Sequence, residues 1–457
     1  MATNEDIVCA GKICNFVQLV RDVAHDVKGE TMKLLQYVAI VAAGLMAMAC
    51  EPKPYIPQPP QGTAEHTVIM YLAGNNNLES YLEDNIRDVI SSVDVSTPSD
   101  NGRIVIYFRP RPASGDPMLL QVYYDKKLAA VQCDTIRTYP AEMSSSNPET
   151  LRKVVADAKV VAPAKEYSML FGSHATGWFT EECMSRGSLT RPMSIGFKSN
   201  NDGSFWRQYG DEITRTFGMD GKMIYEGATI DDAGMNIAEM ASALSGTKFR
   251  SLIFDACFMA SVEAVYDLRN TAKYVIASSA EIMGRGMPYD LVLRYLFASG
   301  GTEGNLMKYC SEYMRYYTEL TPGQKSGTIS LVDCSQVEKL AEAVAQVVRG
   351  GMTDVDTFEV QPFEMLDEHQ FYDLEHYYDL AAKDRDAYME LQNALTDCVL
   401  YKGNTPTVYS AFGSYGFHIF EVERSCGLTT NIPSTSYALF RSEWFKTSWA
   451  RRIGRIE

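Results

Sequence analysis

The chain has 457 residues, 46% of them hydrophobic and 22% charged, a balance that permits one large folded core or two and excludes a wholly disordered polymer. Lys and Arg number 42 against 58 Asp and Glu, and the net charge of −16 disfavours nonspecific attraction to nucleic acid or anionic lipid. An acidic surface of this kind serves solubility and can also steer cationic peptides.

The first 65 residues divide into three parts. Residues 1–31 carry Glu5, Asp6, Asp22, Asp26 and Glu30, unlike the short, positive start of an export signal. Met32-Lys33 supplies such a start, so 1–31 reads as an extension upstream of the natural initiation site. The stretch 34–49 is largely apolar, too short for a comfortable membrane span and of the right length for a signal-peptide core. It ends Ala47-Met48-Ala49-Cys50, which resembles a bacterial lipobox, so 32–50 reads as a lipoprotein signal with Cys50 as the acylated residue. Residues 51–65 contain Pro52, Pro54, Pro57, Pro59 and Pro60, which cannot continue a helix and form an extended tether of about 3 Å per residue. A lipid-anchored protein of the bacterial cell envelope, periplasmic or at the cell surface, is expected.

From residue 66 onward, strand and helix patterns alternate. Strands are predicted over 67–72, 103–108, 169–173, 251–255, 274–277 and 327–332, and helices over 78–90, 148–161, 235–244 and 258–269. The alternating stretch 118–134 reads as a hairpin insertion. Beyond Cys334 come two or three helices and a late strand near 414–420. The fold class is therefore α/β, an α/β/α sandwich with a mainly parallel central sheet over 66–335 and a C-terminal α/β subdomain over 336–457 packed on it.

Two strand ends carry the chemistry. The run Tyr167-Ser168-Met169-Leu170-Phe171-Gly172-Ser173 leads to His174, and Ser251-Leu252-Ile253-Phe254-Asp255-Ala256 leads to Cys257. In an open α/β sheet, side chains at the carboxyl ends of strands line a crevice. A thiol needs a base or positive electrostatics to act as a nucleophile, and an imidazole can take and return its proton. A cysteine after an apolar strand is more often core filling. Here, however, Val262, Val265, Tyr266 and Leu268 recur at near-helical spacing, which predicts that the thiol sits at a helix N-terminus, where thiolate is favoured.

These residues resemble the clostripain-like cysteine peptidases of family C11, relatives of caspases, gingipains and legumains. The resemblance is carried by Gly172-Ser173-His174-Ala175-Thr176-Gly177-Trp178 and Phe254-Asp255-Ala256-Cys257-Phe258-Met259. It extends to Thr67-Val68-Ile69-Met70-Tyr71-Leu72-Ala73-Gly74-Asn75-Asn76-Asn77-Leu78, to Ile230-Asp231-Asp232-Ala233-Gly234, and to a pocket-shaping loop from Ala277-Ser278-Ser279-Ala280-Glu281 to Pro288-Tyr289-Asp290, covering about 67–449. It implies a caspase-like fold and a cysteine endopeptidase with a His174/Cys257 dyad. The backbone N–H groups of Ala175 and Cys257 would bind the oxyanion, and cleavage would follow Arg in preference to Lys. Many relatives have glycine after the histidine; Ala175 still supplies an N–H. Asp255 is implied as the main acid of the substrate pocket, with Ser278 and Glu281 beside it, and Arg285 lies in the same loop. A self-cleavage between His174 and Cys257, after Arg186, Lys198 or Lys222, is implied as well. The alternative is a catalytically inactive binding lipoprotein on the same fold.

Outside the leader and Cys50, seven cysteines remain: Cys133, Cys183, Cys257, Cys310, Cys334, Cys398 and Cys426. An odd number leaves at least one thiol unpaired, and the spacing contains no zinc-site pattern. No cofactor or metal site is expected. Calcium dependence occurs in the resembled family, but Asp231-Asp232 and Asp367-Glu368 do not form an EF-hand loop. Peptides or proteins are the expected partners, together with a membrane through the lipid anchor, and not nucleic acid.

Overall fold

The computed structural model describes residues 55–98, 101–180, 183, 234–366, 368–411 and 418–456. The signal core, Cys50 and the candidate cleavage positions Arg186, Lys198 and Lys222 lie outside the described residues.

Among the described residues, nine strands form one sheet. The first eight are β1 (Ala64–Ala73), β2 (Gly102–Arg109), β3 (Met118–Asp125), β4 (Ala130–Thr138), β5 (Ala164–Gly172), β6 (Phe249–Asp255), β7 (Ala272–Ala277) and β8 (Thr328–Asp333). Two further strands are β9 (Tyr372–Asp373), in a two-residue pair elsewhere, and β10 (Val399–Asn404), which completes the sheet in the order β10-β8-β7-β6-β5-β1-β2-β3-β4. The five central strands β2, β1, β5, β6 and β7 run parallel. Antiparallel strands close both flanks, and the expected hairpin insertion is β3/β4.

Alternate residues of the central strands enter opposite cores, so each face demands its own helical layer. Ile69 and Tyr71 face a core shared with α2 (Pro148–Val161), whose start is fixed by Pro148 and by Asn147 accepting the Glu149 N–H. The same layer holds α3 (Ile237–Leu244), opened by an Asn236/Glu239 capping box, and α4 (Val262–Leu268). Val68, Met70 and Leu72 face the other core, shared with α1 (Glu79–Ser92) and, further along the chain, the short helices α5 (Tyr289–Val292) and α6 (Arg294–Phe297) and the long helix α7 (Thr302–Glu319).

Two features depart from the sequence expectations. The segment 336–457 contributes β10 to the main sheet, while α8 (Val337–Gly350) and, after the short α9 (Leu374–Ala381), α10 (Arg385–Cys398) join the first helical layer. Only its hairpin, β11 (Thr407–Ser410) with β12 (His418–Glu421), and the short pair of β9 with β13 (Thr429–Thr430) stand outside that sheet. The helix after Cys257 begins at Val262, not at 258. Ser261 caps it by accepting the Ala264 N–H, and Phe258 has a φ of +60°, which no helix continues through. The thiol therefore does not sit on a helix N-terminus. Among the described residues, no helix is long and apolar enough to cross a membrane.

Candidate active site

The site is built by sheet register. β1 lies between β2 and β5, and the chain moves outward on both sides of it, so the crevice at the carboxyl ends opens beside β1 and β5. Gly172 of β5 is paired with Asp255 of β6, and His174 and Cys257 each follow two residues later. Adjacent strands are about 4.8 Å apart, so this equal offset sets the imidazole and the thiol side by side at the sheet's carboxyl edge. Leu72 of β1 is paired with Gly172, and the chain leaving β1 brings Asn77 to the same edge.

His174 Nε2 meets Asn77 Oδ1 at 2.5 Å, and its Nδ1 makes no hydrogen bond among the described residues. A ring that donates from Nε2 to an amide oxygen carries its lone pair on Nδ1, the tautomer required of a base. Burial lowers the pKa of His174 to about 4, so the imidazole is neutral through the physiological range. The Cys257 thiol accepts the Ile282 N–H at 3.3 Å. Burial, and then the charges of Glu281 and Asp255, push its pKa far up, with the Ile282 N–H opposing them. The resting pair is thus a neutral thiol beside a neutral imidazole.

The turns after the two side chains are locked together. Gly177 has a φ of +57°, and a Cβ on it would stand 2.7 Å from both the Phe258 carbonyl oxygen and the Phe371 ring. Phe371 stacks on Phe258 with centroids 4.5 Å apart. The loop after β7 is tied to the cysteine turn by Phe258 N–H to Ala280 O at 3.1 Å and Ala260 N–H to Ser278 O at 2.9 Å. Among the described residues, the backbone N–H groups of Ala175 and Cys257 donate to no backbone carbonyl, and that of Cys257 bears on its own thiol.

Asp255 is buried, and its Oδ2 accepts the Tyr289 hydroxyl at 2.7 Å and the Met287 N–H at 3.1 Å. Its Oδ1 takes no hydrogen bond among the described residues. Burial raises the Asp255 pKa to about 6 against those two donors. Gly286 has a φ of +68° and lies against this carboxylate, where any side chain would collide with it. The Arg285 guanidinium stands over the Tyr316 ring, 5.4 Å from its centroid, and its charge bears on Asp88.

A family model described as the clostripain family matches residues 199–418, a span that includes Cys257. Over that span, a little under half of its length, the chain is similar to the clostripain family. Clostripain of Hathewaya histolytica is 22% identical over 258 residues, 52% of this chain, which spans 43% of that protein's length. An inactive zymogen C11 protease from Parabacteroides distasonis superposes with a TM-score of 0.68 at 24% identity, covering 87% of this chain and 99% of that one. A secreted C11 cysteine protease from Bacteroides thetaiotaomicron, "iotapain", gives a TM-score of 0.69 at 24% identity, covering 86% and 100%. The fold is accordingly the caspase-like sandwich of the clostripain family.

Within that fold, the structure brings His174, Ala175, Asp255 and Cys257 to one edge. Ser278 is placed differently, buried and bonded to the Ala280 carbonyl at 2.9 Å and to Thr328 Oγ1 at 2.6 Å, bracing the loop from beneath. Glu281 accepts from Ser410 Oγ at 2.7 Å and from the Ala411 N–H at 2.9 Å, tying the same loop to β11. Asn77 and the Ile282 N–H are the functional groups that sequence reasoning did not single out. Three consecutive asparagines after β1 signal a polar turn, but nothing in the pattern says which one reaches the histidine.

Proposed function

We propose that the chain is a cysteine endopeptidase that cleaves after basic residues, Arg in preference to Lys. The observation that carries this reading is the equal offset of His174 and Cys257 beyond the paired residues Gly172 and Asp255. Cys257 Sγ attacks the scissile carbonyl carbon as its proton passes to His174 Nδ1. The carbonyl oxygen, now an oxyanion, takes the N–H groups of Ala175 and Cys257. The imidazolium then protonates the leaving amine, the C–N bond breaks, and a thioester to Cys257 remains. Water attacks it, giving its proton to His174, and the thiol is restored. Asn77 acts as a positioning residue that holds the ring by Nε2 throughout.

Substrate preference rests on Asp255. Its Oδ2 is engaged by Tyr289 and Met287, and its Oδ1 is open to a charge-assisted hydrogen bond from a basic side chain. The reading extends to self-cleavage between His174 and Cys257 and to an envelope lipoprotein anchored through Cys50. The decisive measurement is hydrolysis of a fluorogenic peptide panel ending in arginine, lysine, glutamine or aspartate. Cys257→Ala and His174→Ala should each abolish turnover with little loss of stability. Residual turnover by Cys257→Ala in a contaminant-free preparation would remove the assignment, and equal turnover of arginine and glutamine peptides would remove Asp255 from its role.

A further inference from the structure

Two buried carboxylates flank one thiol. Asp255 precedes Cys257 by two residues at the end of β6, and Glu281 precedes Ile282, whose N–H lies 3.3 Å from Sγ. They are not equivalent. Glu281 is held by Ser410 and Ala411, whereas Asp255 Oδ1 takes no hydrogen bond among the described residues, and its charge bears on the buried Tyr289, Tyr309, Tyr313 and Tyr317. Among the described residues, the titratable groups that bear on the thiol are Glu281, Asp255 and Tyr313, and none of them is cationic. A negative charge near a thiol opposes its ionisation, and in a buried site that opposition is screened little by water.

We propose that Asp255 couples the pocket to the nucleophile: a guanidinium or ammonium seated on its open Oδ1 favours ionisation of Cys257, so that a basic side chain accelerates the chemistry in addition to tightening binding. The inference rests on the reading that Asp255 receives the basic side chain. The event is a proton transfer from Cys257 Sγ to His174 Nδ1, with no other bond made or broken. The cation offsets the carboxylate that opposed it. Selectivity for basic residues then resides partly in kcat, and an uncharged side chain of equal size leaves the nucleophile protonated even when it fills the pocket.

The test uses the full chain and iodoacetamide, a small neutral alkylating agent, with mass spectrometry of the Cys257 peptide and the exposed Cys133 as internal reference. Rates are followed across pH with methylguanidine, with methylurea as its uncharged isostere, and with neither. Methylguanidine should speed Cys257 alkylation about tenfold near neutral pH, one unit on the pH axis, and leave Cys133 unchanged; methylurea should do nothing. Asp255→Asn should already react faster than the parent and ignore methylguanidine. The coupling is overturned if methylguanidine competes with an arginine peptide yet leaves or slows the alkylation, if methylurea matches it, or if the response persists in Asp255→Asn. The wild-type comparison of the two small molecules needs no variant to fold. Failure here with arginine peptides still preferred would spare the role of Asp255 in substrate preference, whereas loss of that preference would remove both that role and the coupling.

Discussion

At the scale of single residues, the histidine is governed by one amide. Asn77 fixes both the orientation and the tautomer of His174, so Asn77→Ala should lower kcat by about 10- to 100-fold while KM changes little, because the residue does not touch substrate. Steady-state kinetics would show it, and a loss confined to KM would contradict the role. The pH dependence follows from burial. His174 has its pKa lowered to about 4, so the free base persists well below the range of an ordinary histidine. The acid limb of kcat/KM should fall near pH 4 to 5 and not near 6.5, as a pH–rate profile would reveal. The sign for stability agrees. Between the unfolded value near 6.5 and the folded value near 4 the unfolded chain binds more protons, so the contribution of a neutral His174 is lost as pH falls through that window. The histidine and the cysteine were legible from the sequence because both end apolar runs. Asn77 and the Ile282 N–H were not, because the first is one of three equal candidates and the second is a backbone group with no side-chain signature.

At the scale of elements, the helix after Cys257 shows where periodicity misleads. The apolar spacing in 258–269 is real, but it belongs to a shorter helix, since Phe258 adopts a positive φ and the chain makes a separate turn before Ser261 caps α4. Such a conformation in a bulky residue costs about 1–3 kcal/mol and persists only where the surroundings fix it. Here Phe371 stacks on the ring and Gly177 accepts close approach from the other turn. Gly177→Ala should therefore separate the turns that follow His174 and Cys257. A loss of about 1–3 kcal/mol by denaturant unfolding is expected, with a larger proportional loss of peptide turnover. Retention of full activity would show that the turns are independent. The parallel strands, by contrast, were readable to within a residue at their carboxyl ends, though less closely at their starts, because strands buried on both faces form near-continuous apolar runs.

At the scale of the whole molecule, the sheet was harder to read at its edges than at its centre. β10 is half-buried and lies beyond three helices in the sequence, so its place beside β8 depends on long-range pairing that no local pattern encodes. The segment 336–457, expected as a subdomain packed on the rest, shares its sheet and its first helical layer, which no local pattern encodes for the same reason. The proposed self-cleavage is tested on the whole chain. The purified protein should resolve into two associated fragments on a denaturing gel, and Cys257→Ala should give one band. Identical banding in both would count against self-processing.

A thiol held protonated by burial, and then by two neighbouring carboxylates, has another consequence. A thiolate attacks peroxide, breaking its O–O bond, whereas a buried neutral thiol oxidises slowly. The charges that quiet the nucleophile between substrates also shield it from sulfenic acid formation. The chain can therefore wait in an oxidising environment without being consumed by it, and its sulfur becomes vulnerable chiefly while it is at work.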